Sequence, residues 1–412
     1  MTTLHLSLFL LLAPLLLAPF SQARALDEEA LEIQPGGDVK GFFFSVFPYD
    51  AFFLPSEPFG QSAADLRLKL GLRHSSWLRL SLHHQLTVLT SSADLIESAN
   101  LFSPAPGQAD LPQAVDLSWS LGDHPGHSIL GRFDRASVML RLPRFHLTLG
   151  RQPITFGRAY FFTPLDLVAP FAPTAVDREY KPGIDALRAD YFFGIAGQVT
   201  FVAAYAGSWE SEGMIFSGRA GTTLGGWDLA LFGAAVRRDT VVGLESSGAI
   251  GPVAVRAEGS LTFPSGDEDP FVRVVAGADH LMLAGRLQLS GEIYHQSLGV
   301  SDPAELLIMA LHPRVRRGEI WTLGRWYAAA RTDYELTPLL HLGAFAVANL
   351  EDPSLLLGPS LSWSVADSAA VTAGAHIGLG ERPETGGPPL LQPQSELGFY
   401  PTTFYASIQA YF

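Results

Sequence analysis

After its first 25 residues this chain has no uncharged apolar run of the roughly 18 residues that a membrane-crossing helix needs. Apolar side chains nevertheless recur at every second position over stretches of about ten residues. In Asp65–Arg73, Leu66, Leu68, Leu70 and Leu72 share one face, and Arg67, Lys69, Gly71 and Arg73 share the other. A helix would mix the two sets, whereas a strand separates them. Ala254–Phe263 repeats the pattern, with Val255, Ala257, Gly259, Leu261 and Phe263 against Arg256, Glu258, Ser260 and Thr262. So does Arg286–Tyr294, with Leu287, Leu289 and Ile293 against Arg286, Gln288, Ser290, Glu292 and Tyr294. In lipid only helices and closed barrels satisfy every backbone N–H and C=O. A chain of this pattern that enters a membrane must therefore do so as a closed barrel.

A soluble sandwich also alternates, so further features decide. The strands fill the chain, and tight and long connections largely take turns. Arg73–Trp77, Leu142–Phe145, Gly194–Gly197 and Leu224–Trp227 are tight, while Thr90–Arg132, Pro153–Gly183, Leu298–Gly318 and Gly380–Thr402 are long. Membrane barrels have short turns at one rim and long loops at the other. The chain ends on a strand with Phe404, Ala406, Ile408, Ala410 and Phe412 on one face and Tyr405, Ser407, Gln409 and Tyr411 on the other. A last strand closing on Phe412 resembles the assembly signal of outer-membrane barrels. Requiring up–down alternation places strand starts near Val39, Ala64, Trp77, Asp134, Phe145, Asp185, Gly197, Gly213, Asp228, Thr240, Val253, Phe271, Ala284, Ile320, Tyr334, Leu356, Val371 and Thr403. The expected fold is an all-β, transmembrane, antiparallel up-and-down barrel of about 18 strands, with 16 as the second choice. Val115–Leu121 is an extra strand candidate inside a long outer loop.

Met1–Ala25 reads as a secretory leader, with a leucine-rich stretch ending in Ala23-Arg24-Ala25 and cleavage after Ala25. Residues 26–38 then form a short periplasmic lead-in, and 39–412 form the barrel in the outer membrane. There is no cysteine, which excludes disulfides and a lipoprotein anchor. The formal charge of −14 argues against nucleic acid as a partner.

Acids gather in the inferred outer loops, at Asp94 and Glu97, Glu210 and Glu212, Asp267 to Asp269, Glu351 and Asp352, and Glu381 and Glu384. None has the spacing of a metal loop, so no metal or cofactor is expected. Bases gather on inferred inner faces, at Arg67, Lys69, Arg73, Arg79, Arg141, Arg188, Arg256, Arg286 and Arg325. Such bases either favour anion entry or pair with wall carboxylates and stiffen the wall. No nucleophile elbow, phosphate loop or HExxH helix is present, and an enzyme is not expected. His83 and His84 are adjacent on a strand and point to opposite faces.

The most informative segment is Leu149–Tyr191, which leaves one strand, runs through five prolines and enters the next. Phe156, Tyr160, Phe161, Phe162, Phe171 and Tyr180 give it too much apolar surface to stay in water. A loop folded against the inner wall would bury these rings and set its charges along a passage. The pore-lining candidates are Arg151, Gln152, Arg158, Asp166, Asp177, Arg178, Glu179, Lys181, Asp185 and Arg188. Within it, Gly150-Arg151-Gln152, Ile154-Thr155-Phe156-Gly157, Pro164-Leu165-Asp166 and Ala172-Pro173-Thr174-Ala175-Val176-Asp177-Arg178-Glu179-Tyr180-Lys181-Pro182-Gly183 resemble a motif of a largely uncharacterised group of Gram-negative outer-membrane porin-like barrels. Arg132-Phe133-Asp134-Arg135-Ala136 resembles the lead-in strand of that group. Phe156 stands where the group more often has Trp. The resemblance implies a barrel and solute passage, and it brings no substrate or site residues with it.

The expected function is a passive channel for small hydrophilic solutes, with Arg151, Arg158, Arg178 and Arg188 drawing anions and Asp166, Asp177, Glu179 and Asp185 positioning or opposing those bases. The expected partners are the lipid bilayer, lipopolysaccharide and the barrel assembly machinery. The alternatives are a plugged barrel serving as receptor, adhesin or export partner, and a soluble secreted all-β protein.

Overall fold

The computed structural model describes residues 31–49, 57–92, 112–124, 126–168, 175–385 and 391–412. The leader reading, Asp94, Glu97 and Phe171 lie outside them. Eighteen antiparallel strands close into one ring. The first six are β1 (Leu31–Phe47), β2 (Phe59–His74), β3 (Leu78–Ser91), β4 (His127–Arg141), β5 (Phe145–Gln152) and β6 (Ile184–Phe193). Next come β7 (Gly197–Tyr205), β8 (Met214–Leu224), β9 (Trp227–Val236), β10 (Asp239–Ile250), β11 (Val253–Phe263) and β12 (Phe271–Met282). The ring ends with β13 (Leu287–Gln296), β14 (Trp326–Thr337), β15 (Leu340–Asn349), β16 (Ser354–Ala366), β17 (Ala369–Leu379) and β18 (Thr402–Tyr411). Each strand pairs with its chain neighbours, and β1 pairs with β18 from Asp38↔Tyr411 to Phe47↔Thr402.

Alternation sorts side chains as the sequence pattern demands. Leu68 is 48% exposed on the outside, whereas Arg67 is 3% exposed on the inside. On β11, Leu261 and Phe263 face out, and Glu258, Ser260 and Thr262 are buried inward. Aromatic residues mark both rims of the outer surface. Trp77, Phe145, Tyr191, Trp363 and Phe412 lie toward the tight-turn rim, with Phe47, Phe263, Trp326 and Phe404 toward the loop rim. The tight turns use residues that tolerate left-handed backbone. Between β8 and β9 the turn is Gly225-Gly226, with φ of 59° and 83°.

Several boundaries differ from the sequence reading. β1 starts at Leu31, inside the segment read as a lead-in. In that stretch Leu31 and Ile33 alternate with Glu32 and Gln34, but Pro35, Gly36 and Gly37 then interrupt the pattern. Backbone pairing with β2, from Leu31↔His74 onward, makes it a strand all the same. β14 and β15 begin six residues later than expected, because Val300–Arg325 belongs to the preceding loop, with helical turns at Leu306–Ala310 and Pro313–Arg316. Two connections at the loop rim are short, Arg237-Arg238 and the turn at 350–353. The extra strand forms at Ser118–His124, where it pairs with the upper half of β4. It occupies the place beside β4 that β5 vacates at Gln152, and it adds nothing to the ring count.

The interior has two characters. On β1 to β4 the inward residues are charged, among them Asp38, Lys40, Asp65, Arg67, Asp134 and Arg135. Asp134 and Arg135 face in together because a bulge opposite His83–His84 adds one residue to β4. On β6 to β10 most inward residues nearer the loop rim are apolar, including Ala186, Val202, Ala204, Ile215, Phe232, Val236 and Val241, while Arg188, Asp190, Arg219 and Glu245 lie nearer the tight-turn rim. Over that apolar stretch the strands are apolar on both faces, as expected only where both faces are covered.

Candidate functional site

The cover on the inner face is the β5–β6 loop. Its first arm runs from Pro153 to Phe162 down into the barrel. Ile154, Phe156, Leu165 and Leu167 pack on the apolar wall of β6 to β10, with the Phe156 and Phe232 rings 5.1 Å apart. Farther along, Phe162 lies between two parallel rings, Tyr294 of β13 at 4.6 Å and Trp321 of the β13–β14 loop at 5.3 Å. Phe161 packs toward Phe345 of β15, in a cluster with Tyr327, Leu356 and Leu397.

Two wall carboxylates hold the backbone between these anchors. Glu258 of β11 accepts the N–H of Arg158 at 3.2 Å and of Ala159 at 3.3 Å. Glu292 of β13 accepts those of Tyr160, Phe161 and Phe162 at 2.6, 2.9 and 3.2 Å. Consecutive N–H groups converging on one carboxylate form an anion nest, with the anion supplied by the wall. Gly157 permits the approach, with a φ of 87° and a position where a Cβ would run into the Glu258 carboxylate. Glu292 also accepts from Arg256 at 2.7 Å, so its charge is balanced inside the wall.

The loop then turns back. Pro164 O accepts from Arg273 Nη2 at 2.8 Å, and the buried pair Asp166–Lys181 ties the outgoing arm to the returning one. The returning arm, Ala175–Gly183, crosses the charged half of the wall. Lys40 reaches Asp177 at 2.8 Å and Glu179 at 2.7 Å. The Tyr180 ring lies against the guanidinium groups of Arg67 at 3.7 Å and Arg135 at 4.7 Å, and its hydroxyl meets His83.

The ten candidate residues therefore divide. Arg151 is enclosed, with Nε donating to Asp185 Oδ1 at 2.8 Å and its Nη atoms to the carbonyls of Phe133 and Val115. Asp185 also accepts the Ala114 N–H, so this pair braces β4, β5, β6 and the outer segment. Gln152 is buried and donates to the Ala186 carbonyl at 3.0 Å. Asp166 and Lys181 are buried in one ion pair, and Asp177, partly buried, is in another with Lys40. Arg158 is more open, with a side chain 42% exposed beside Asp228 at 2.7 Å and Glu245 at 3.6 Å. Arg188 pairs with Asp190 on its own strand at 2.8 Å, and Glu179 keeps half of its side chain exposed. The Arg178 guanidinium lies 4.9 Å from the Tyr160 ring.

Other inner-wall bases named from sequence are also paired, Arg67 with Asp38, Asp65 and Asp134, Lys69 with Asp38, Arg73 with Glu32, and Arg256 with Asp279 and Glu292. Arg286 sits at a tight turn on the Glu335 and Leu336 carbonyls, and Arg325 lies in a loop on the Gly299 carbonyl. The inner position on β14 belongs to Arg331, which the shifted strand start concealed. Its guanidinium lies 4.7 Å from the Tyr160 ring, and among the described residues it has no carboxylate partner. Tyr160 is thus flanked by two guanidinium groups. Glu258 and Glu292 were legible as inner acids, but their hold on loop N–H groups was not, because backbone donors leave no mark in a side-chain pattern. His83 points inward to Tyr180, while His84 points outward and stacks on Trp119 at 4.8 Å. Among the described residues no three His, Asp or Glu side chains converge to hold a metal.

No protein-family model matches the sequence, and no curated protein matches it. Solved structures match the fold. Pseudomonas aeruginosa OccK9 (OpdG) superposes with a TM-score of 0.57 at 12% identity, over 93% of this chain and 99% of that one. Acinetobacter baumannii OccAB2 gives 0.56 at 11% identity, over 92% and 98%. OpdK of Pseudomonas aeruginosa, solved with vanillate, gives 0.54 at 10% identity, over 92% and 98%.

Proposed function

We propose that this chain is an outer-membrane channel for passive diffusion of small hydrophilic solutes, narrowed by the β5–β6 loop and favouring anions. The observation that carries this reading is a long loop folded inside a closed barrel and fixed there by buried carboxylates and stacked rings. Loops so held reduce a lumen to a selective passage. The apolar outer belt with aromatic rims suits a bilayer and, on its outer leaflet, lipopolysaccharide. Phe412 closes the last strand and serves barrel assembly.

Most inner bases are neutralised by acids. The anion preference therefore rests on Arg331, which lies against the Tyr160 ring with Arg178 on the same ring, rather than on a general excess of bases. An aromatic carboxylate, of which the vanillate seen with OpdK is an example, would find both cations and a ring face there. A second reading, a plugged barrel with a surface role, draws on the Phe162–Trp321 stack, which brings a second outer loop against the first.

Single-channel conductance in a planar bilayer, with reversal potential under a salt gradient, separates the two. Stable open steps are expected, with an anion preference that falls several-fold in Arg178→Ala/Arg331→Ala. A folded barrel that stays electrically silent supports the plugged reading. Open steps with an unchanged permeability ratio in the double variant remove these arginines from selectivity.

A further inference from the structure

A barrel has one junction that no hairpin backs, the seam where its first and last strands meet. Here it is the pairing of β1 with β18, and separating those strands opens the ring. The returning arm of the β5–β6 loop lies on that junction. Lys40, on the inner face of β1, is 1% exposed and places its ammonium 2.8 Å from Asp177 and 2.7 Å from Glu179. From the other side of the seam, the Tyr411 hydroxyl of β18 donates to the same Glu179 carboxylate at 2.8 Å. Tyr180 then extends the contact to Arg67 of β2, His83 of β3 and Arg135 of β4. One loop segment thus touches five successive strands, β18 on one side of the junction and β1 to β4 on the other.

Among the described residues the ion-pair partners of Lys40 are Asp177 and Glu179 alone, because Asp65, its register partner on β2, is taken up by Gln85, Thr87 and Arg67. Asp38, two residues along on the same face, is occupied by Lys69 at 2.6 Å and Arg67 at 3.6 Å. A buried ammonium without its carboxylates is strongly disfavoured, so Lys40 requires the loop. The loop in turn requires the closed ring, because Lys40 and Tyr411 come together about Glu179 only when β1 and β18 are paired.

We propose that the returning arm of the loop clamps the closing seam: it docks only on the completed ring and then holds the first and last strands together. Lys40 and Tyr411 are its positioning residues. The conductance part of the following test rests on the channel reading above, and the stability part does not.

The chain has no cysteine, so a seam lock can be introduced cleanly as Val39→Cys/Ala410→Cys. These are register partners across the seam, and antiparallel partners lie at about 4.5–5.5 Å between Cα atoms, within disulfide reach. Unfolding rates of the full barrel in detergent and urea would be read by loss of its heat-modifiable gel mobility. Lys40→Met and Glu179→Gln are each expected to unfold about tenfold or more faster than the parent. With the lock oxidised, most of that difference should vanish, while Lys40→Met should still show noisier single-channel current because its loop arm is undocked. Unchanged rates in both unlocked variants would overturn the proposal. So would equal losses with and without the lock, since the residues would then stabilise the wall locally and not the seam. Glu179→Gln, on the loop and half exposed, keeps the test open if Lys40→Met fails to fold. Silent channels in every variant would count against the channel reading and leave the unfolding comparison intact.

Discussion

Replacing Glu292 with Gln removes one charge and one acceptor from a site where five donors converge. Its Oε2 accepts the N–H of Phe161 at 2.9 Å and of Phe162 at 3.2 Å, and Oε1 accepts that of Tyr160 and both Arg256 contacts. The best placement of the amide keeps its oxygen toward Arg256 and Tyr160. Its NH2 then faces two N–H groups that have lost their acceptor. Leaving a buried donor unsatisfied costs about 1–3 kcal/mol. Partial relaxation of two such donors brings the total to roughly 2–4 kcal/mol. At about 1.4 kcal/mol per decade, that raises local opening of the loop by roughly 30- to 700-fold. Arg256 retains Asp279, so the wall itself keeps an ion pair. Hydrogen exchange resolved at Tyr160, Phe161 and Phe162 measures the opening directly. Protection there should fall by that factor while β9 to β11 keep theirs. Equal protection in a correctly folded variant would refute the argument that a wall carboxylate holds the loop.

Phe162→Ala removes the middle ring of a three-ring stack and should cost about 3–5 kcal/mol of loop docking, visible as frequent transitions between conductance levels. A quiet channel with parental conductance would mean that the stack is dispensable. A pH dependence is expected at the outer rim. There Glu396 accepts from the Leu323 N–H at 2.9 Å and from Asn349 at 2.8 Å, and burial, with Asp352 nearby, pushes its carboxyl up to about 7. The folded loop therefore binds a proton that the opened loop releases, so docking weakens as pH rises from about 4.5 to about 7 and is flat on either side. Exchange at Leu397 and Phe399, corrected for intrinsic rates, should quicken about tenfold or more across that window. In Glu396→Gln the trend should disappear. A trend that survives the substitution assigns it to another group.

The ring was legible wherever one face of a strand meets lipid and the other meets charge, as at Asp65–Arg73 on β2. It was least legible where a second layer covers the inside. Residues 199–206 read Val-Thr-Phe-Val-Ala-Ala-Tyr-Ala, with Phe201 facing out and Val202 and Ala204 facing in. Alternation fades there because the loop supplies an apolar environment to the inner face. That fading is itself a signal: a doubly apolar strand in a barrel points to something tucked inside. At the site, the charge-rich loop was legible, but its pairings were not. Asp166 with Lys181, and Lys40 with Asp177 and Glu179, join residues that only the closed ring and the folded loop bring together. Arg331 was concealed because the helical turns of Leu306–Arg316 displaced the start of β14.

Phe162 is held between a ring of the wall and a ring of another loop, with Trp321 completing the stack. For anyone grafting this inward-folded loop into a different barrel, the transferable part is consequently a pair of loops and not one. A transplanted 153–183 segment would arrive with one aromatic face bare, and water would compete for it. Carrying residues 297–325 along restores the sandwich. The same dependence means that altering the second loop at Trp321 offers a handle on the β5–β6 loop from the loop rim, without touching a residue of that loop.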